Sequence, residues 1–177
     1  NRKLPEPLKK KGLEIKGSNL CAEITLPTNS DRTAVCCLSS LNLEKFDEWK
    51  DSTIVEDLIE MLDNVLTKFI DHAPQPALFK ATSSALTERS LGLGAMGFHT
   101  YLQSKSIPWE SAMAVGQNKM MFAYIKQHAL KATKDLCKTK SEYMYGFGTG
   151  RRNSHLLAIA PNANSGMIIG TSPSIEP

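Results

Sequence analysis

Asn19, Cys21 and Glu23 place a thiol between an amide and a carboxylate, each two positions away. In an extended segment residues two apart share a face, so this spacing predicts three side chains directed into one pocket. A reacting thiol needs one neighbour that holds the substrate by hydrogen bonds and another that moves a proton. Asparagine offers a donor and an acceptor, and glutamate offers the base. Alone, the triplet equally fits chance, with a lone cysteine serving as a small buried hydrophobe. A second group stands near the other end of the sequence. Arg151 to Ala160 leads into Pro161-Asn162-Ala163-Asn164-Ser165-Gly166 and the apolar Met167-Ile168-Ile169. This reads as a buried strand, a loop of small polar residues and the start of a helix. Free amides at a helix start suit a phosphate group, and Asn164 and Ser165 offer further hydrogen bonds. The same pattern also fits a plain turn with an N-cap.

Both groups need elements to position them. Residues 1–17, rich in Pro, Lys and Gly, read as an irregular lead-in. Ala34 to Leu41 is a continuous apolar run suited to a strand covered on both faces. Thr53 and Glu56 form a capping-box pattern. Ile54, Leu58, Leu62, Val65, Leu66, Phe69 and Ile70 then recur at helical spacing until Pro74. A second amphipathic helix is predicted over 112–137, with Met113, Met120, Met121, Tyr124, Ile125, Ala132 and Leu136 on or near one face. Its Met120-Met121 pair reads as core filling. Residues 138–153 read as a loop and 154–160 as another buried strand. Between the helices, Gly92-Leu93-Gly94-Ala95-Met96-Gly97 matches a dinucleotide-binding fingerprint, with Glu110 near the place of its acid. The polar stretch Thr82 to Ser90 is not the hydrophobic strand such a site needs, and Pro108 and Trp109 do not resemble the end of a second one. These glycines therefore read as permitting close backbone approach.

Composition sets the class. The 177 residues suffice for one domain with a core, and 41% hydrophobic with 22% charged content is ordinary for a globular protein. A net charge of +3, with only Lys9-Lys10-Lys11 clustered, is not a nucleic-acid footprint. Cys21, Cys36, Cys37 and Cys137 lack the spacing of a disulfide scaffold, and His72, His99, His128 and His155 lack metal-ligand spacing. No signal peptide or membrane-length apolar run is present, so a reducing cytoplasm is the expected setting.

The run from Ser18 to Leu43, with Asn19-Leu20-Cys21-Ala22-Glu23 followed by Ala34-Val35-Cys36-Cys37-Leu38-Ser39, resembles the finger loop and next barrel strand of the class I ribonucleotide reductase large subunit. Arg89 to Phe98, and Pro161 to Gly166 with the downstream Ile175-Glu176-Pro177, resemble further segments of that family in the same order. The resemblance implies an α/β fold, part of a ten-stranded α/β barrel with a central active-site finger loop. The finger would span about residues 17–25 and the second half-barrel about 33–177. It implies thiyl-radical reduction of ribonucleoside diphosphates to deoxyribonucleoside diphosphates for DNA synthesis. Cys21 would be the radical site, Glu23 the base at the ribose hydroxyl and Asn19 a hydrogen-bonding partner. Cys36 would be one of two reducing cysteines that end as a disulfide. Ser18, Pro161, Asn162, Ala163, Asn164 and Ser165 would bind substrate. The family loop carries more hydroxyl residues than Asn162, Asn164 and Gly166 provide, which shifts the expected phosphate contacts to backbone amides. Cys37, on the opposite strand face, and Cys137 read as structural.

The same resemblance implies no metal or cofactor in this chain. The radical would come from a metal-containing small subunit, the electrons from thioredoxin or glutaredoxin, and nucleotide effectors such as ATP would bind elsewhere. A cobalamin-using class II enzyme shares the finger chemistry, but Leu-Cys-Ala-Glu-Ile is closer to class I. The chain is expected to be an internal piece of a longer subunit and inactive alone, with the second reducing cysteine outside it. Two other readings stand beside this one: a noncatalytic nucleotide-binding module, and an inactive remnant of a split gene.

Overall fold

A computed structural model describes residues 4–177. Strands β1 (Cys37–Asn42) and β2 (Leu91–Met96) run parallel, with Cys37 opposite Leu91 and Asn42 opposite Met96. Parallel neighbours need a long crossover. It is made by α2 (Phe46–Trp49), α3 (Ile54–His72) and α4 (Phe79–Glu88). From β2 the chain passes through α5 (Phe98–Ser104) and α6 (Ala112–Lys140) to an extended segment on the other side of β2. There Leu91 N–H donates to His155 O at 3.0 Å, Leu93 N–H to Leu156 O at 2.8 Å and Ala158 N–H to Leu93 O at 3.1 Å. The strand expected over 154–160 is thus present as an extended run with a single parallel bridge, Leu93 to Leu157.

Sequence periodicity accounts for the two long helices. Val55, Ile59, Leu62 and Leu66 make one buried stripe on α3, packed against Met121, Ile125, Ala129 and Ala132 of α6 and against Leu91, Leu93 and Ala95 of β2. Helix α3 stops where Pro74 holds Ala73 in an extended conformation. Helix α6 starts where Ser111 Oγ accepts the N–H of Ala114 at 3.1 Å. Burying this apolar core is the main stabilising term.

Several local expectations are corrected. The lead-in contains α1 (Glu6–Lys10), with Pro7 in its first turn, where a missing N–H costs nothing, and Leu8 buried with Leu4 and Tyr143. The capping box does not form: the Thr53 hydroxyl donates to Asp57 Oδ2 at 2.8 Å, and Glu56 Oε1 lies 2.8 Å from His128 Nδ1. Met121 is core, but Met113 and Met120 are 63% and 45% exposed. Seven residues apart, those two share a stripe that Met121 lies about 100° away from. The glycine-rich run is β2 itself rather than a turn following a strand. Among the described residues no helix is long and apolar enough to cross a membrane.

Candidate active site

The thiol triplet sits on a turn, not on an extended segment. Ala22 N–H donates to Asn19 O at 3.0 Å and Asn19 N–H to Ile24 O at 3.0 Å, with Ala22 at φ 58°, in the left-handed region. The turn brings Glu23 back over the cysteine: Cys21 N–H donates to Glu23 Oε2 at 3.0 Å. Leu20 is wholly exposed and Cys21 is exposed beside it, so the thiol is presented at a tip rather than packed in hydrocarbon. Ser18 is exposed and Asn19 half-buried; the Asn19 side chain makes no hydrogen bond among the described residues. The root of the loop is firm. Ile24 and Leu26 are buried with Ala158, and Ala34 and Cys36 pack against them.

Cys36 lies under that root. Its thiol points at Cys37 O, 3.6 Å away. Burial, then the neighbouring Cys37, Glu23 and Glu88, push it up to about 12, so it stays a neutral thiol at ordinary pH. The influence of Glu23 links the finger carboxylate electrostatically to the strand cysteine. Cys37 faces the opposite way into the main core, where burial also raises its thiol against the opposing effect of Arg89. Gly92 makes the crowding around Cys36 feasible: a Cβ there would stand 2.9 Å from Ala158 Cβ and 3.1 Å from Cys36 Sγ. At Gly94 a Cβ would collide with the carbonyl oxygen of Ala158. Both glycines therefore serve the close approach expected of them.

Two open cavities adjoin along these strands. One, of about 470 Å³, is bounded by Ala22, Glu23, Gly94, Leu157, Ala158 and Ile159 among others. The next, of about 410 Å³, lies between Ser39, Ser40 and Met96 on one side and Pro161, Asn162 and Ser165 on the other. Gly94 and Met96 are two residues apart on one face of β2, roughly 7 Å along the strand. The finger carboxylate borders the first of these cavities and the polar loop borders the second.

The polar loop opens α7 (Ala163–Ile169). Asn162 is committed to shaping it: its N–H donates to Pro173 O at 3.0 Å, its Nδ2 donates to Ala160 O at 2.7 Å, and its carbonyl accepts Gly166 N–H at 2.7 Å. Pro161, Ala163, Asn164 and Ser165 are exposed. The amides of the first helical turn have no carbonyl within the helix to bond.

Sequence reasoning missed a buried polar layer behind the site. Arg32 Nε donates to Glu88 Oε1 at 3.0 Å, and Arg32 Nη2 donates to the same oxygen and, at 3.0 Å, to Thr87 Oγ1. Arg89 binds Asp63 through Nε at 2.9 Å and Nη2 at 2.8 Å, and Asn153 Nδ2 donates to the same carboxylate at 2.8 Å. His155 is held down to about 4 by burial, with Arg151 adding to the effect. Charged residues in these numbers look solvated in a sequence, and no spacing rule marks them as partners. Among the described residues no group of three or more His, Cys, Asp or Glu side chains is placed to hold a metal ion.

Parallel strands joined by helical crossovers, with an exposed cysteine-bearing turn rooted against them, fit part of an α/β barrel. Residues 1–149 match the family described as "Ribonucleotide reductase, barrel domain". The chain belongs to that family. A Frog virus 3 (isolate Goorha) protein is 55% identical over 179 residues, taking in 100% of this chain and 32% of that protein. The "Ribonucleoside-diphosphate reductase large subunit" of Invertebrate iridescent virus 3 is 51% identical over 179 residues, covering 100% of this chain and 28% of the relative. The chain also superposes on the "Actinobacillus ureae class Id ribonucleotide reductase alpha subunit" with a TM-score of 0.94 and 43% identity, over 98% of this chain and 34% of that one. The chain spans about a third of the length of these relatives.

Proposed function

We propose that this chain is the finger-bearing part of a ribonucleoside-diphosphate reductase large subunit, and that the whole subunit reduces ribonucleoside diphosphates to deoxyribonucleoside diphosphates. The observation that carries the reading is the Glu23 carboxylate folded onto the Cys21 backbone on a turn rooted against Cys36. A thiyl radical at Cys21 takes a hydrogen atom from the ribose, becoming a thiol and leaving a carbon radical. Glu23 accepts the proton of the adjacent hydroxyl, with Asn19 holding the sugar. The neighbouring hydroxyl, protonated by a thiol of the reducing pair, leaves as water. Cys36 and a partner cysteine outside this chain supply two electrons and close as a disulfide, their second hydrogen goes to the carbon that lost water, and Glu23 returns its proton to the ribose oxygen. Cys21 then returns its hydrogen. A thiol kept neutral suits Cys36, which must deliver a proton as well as electrons.

Substrate phosphates would rest on the loop, bound by the amides of Ala163, Asn164 and Ser165 and the Ser165 hydroxyl. Pro161 and Asn162 would shape that loop, and Ser18 would contact substrate at the finger's root. The radical would come from a metal-containing small subunit, and thioredoxin or glutaredoxin would restore the dithiol. Likeness to a class Id subunit supports class I over a cobalamin enzyme. An exposed cysteine with a carboxylate folded onto its backbone favours catalysis over simple nucleotide binding. Glu23→Gln in the complete enzyme tests the assignment. Turnover should be lost while diphosphate affinity stays within about twofold of the parent, because the amide keeps the shape but not the basicity. Retained turnover, or lost affinity, contradicts it.

A further inference from the structure

The cavities bordered by the finger and by the loop lie along one face of β2, and buried contacts behind them tie the two sides together. On the finger side, the chain returns through a tight turn in which Asn29 and Arg32 pair by backbone bonds of 3.2 and 3.3 Å. That turn is tied to α4 at both ends of the helix. At the start of α4, Lys80 Nζ donates to Ser30 O at 2.5 Å and Thr33 N–H donates to Lys80 O at 3.4 Å. At its end, Arg32 is clamped on Glu88, Thr87 and Ser84 O. On the loop side, Ser90 Oγ donates to Glu88 Oε2 at 3.5 Å, lies 3.0 Å from Ser154 Oγ and 3.2 Å from His155 Nδ1. Ser154 N–H donates to Glu88 O at 3.1 Å. Ser154 and His155 begin the strand that runs straight into Pro161–Ser165.

Glu88 is thus a buried carboxylate holding the finger's return limb with one oxygen and, through Ser90, the root of the loop's strand with the other. We propose that Glu88 is a positioning residue that, through Arg32 and through Ser90, Ser154 and His155, fixes the distance between the Cys21 finger and the diphosphate loop. The inference rests on the reductase reading above. A hydrogen atom moves only over a short gap, and misplacement by about 1 Å costs on the order of 10²-fold in rate. Glu88 is not placed against the substrate; it acts by keeping the finger's return limb and the loop's strand in one frame. A buried ion pair contributes little net stability when replaced as a whole, so specifying geometry is a sufficient reason for it.

The test uses the full-length subunit with its radical-generating partner. The double variant Arg32→Met, Glu88→Met removes both charges together and avoids an unpaired buried ion. Ser90→Ala cuts only the side-chain link from Glu88 to Ser154 and His155 and leaves the backbone bond from Ser154 to Glu88 O in place. Both are expected to fold and to keep KM for the ribonucleoside diphosphate within about threefold. We expect kcat to fall about 10- to 100-fold in the double variant and 3- to 10-fold in Ser90→Ala. The deciding readout is the isotope effect with ribose-deuterated substrate, which should rise as hydrogen abstraction slows. A smaller folded fraction lowers apparent kcat but leaves that isotope effect unchanged. An unchanged isotope effect, parental kcat, or failure of both variants to fold overturns the proposal. Cys21→Ser is measured in parallel: if it turns over, the reductase reading itself fails, independently of Glu88.

Discussion

Cys36 should be a slow nucleophile, and the amount can be worked out. Its thiol stands at about 12, against 9.0 for an ordinary cysteine. At pH 8 an ordinary thiol is about 10% thiolate, whereas one at about 12 is about 0.01%, roughly a thousandfold less. A more basic thiolate is intrinsically more reactive, which recovers about 20- to 30-fold over this interval. Alkylation of Cys36 in the folded chain should therefore be about 30- to 50-fold slower than in urea, before any loss of access. The rate should also keep rising about tenfold per pH unit through pH 10, where an unperturbed thiol levels off near 9. Iodoacetamide pulses between pH 7 and 10, quenched and read by fragment-level mass spectrometry, resolve Cys36 from the adjacent Cys37. Exposed Cys21 serves as the accessible internal reference. If Cys36 labels as fast folded as unfolded, or its profile bends near pH 9, the burial beneath the finger root is not as described.

Three substitutions test the framework by their effect on stability. Asp63→Ala leaves Arg89 and the Asn153 amide buried without their acceptor, and chemical denaturation should show a loss of about 3–5 kcal/mol. Gly94→Ala drives a methyl group into the Ala158 carbonyl, a backbone atom that cannot step aside, and should cost about 1–3 kcal/mol. Gly116→Ala, in α6 with open space around it, should instead stabilise by about 0.5–1 kcal/mol. Equal effects at Gly94 and Gly116 would contradict the packing of the strand against β2.

The parts readable from sequence are those governed by local periodicity. The apolar repeat from Ile54 to Ile70 marked α3, and the long repeat after Ser111 marked α6, to within a few residues at each end. Helix α4 was not legible because its buried face is Ala, Thr, Ser and Glu88, without an apolar stripe to detect. Strand β2 was hidden for a related reason: Gly92 and Gly94 take two of the three positions on one face, so the alternation looks like a turn motif. For the candidate site, residue types carried the chemistry, but the geometry needed the fold. Spacing by two suggested one extended face, whereas a left-handed Ala22 makes a turn that lays Glu23 over Cys21. Contacts such as Arg32 with Glu88 join residues 56 positions apart, a pairing no local pattern encodes.

The central claim is that the Cys21 sulfur performs the abstraction. The most direct measurement compares the complete enzyme with its Cys21→Ser variant on ribonucleoside diphosphate, reading deoxyribonucleotide formation and diphosphate affinity together. A serine hydroxyl cannot carry the radical in place of the thiol, so product should vanish while affinity stays within about twofold of the parent. Continued product formation by the serine enzyme would contradict the account.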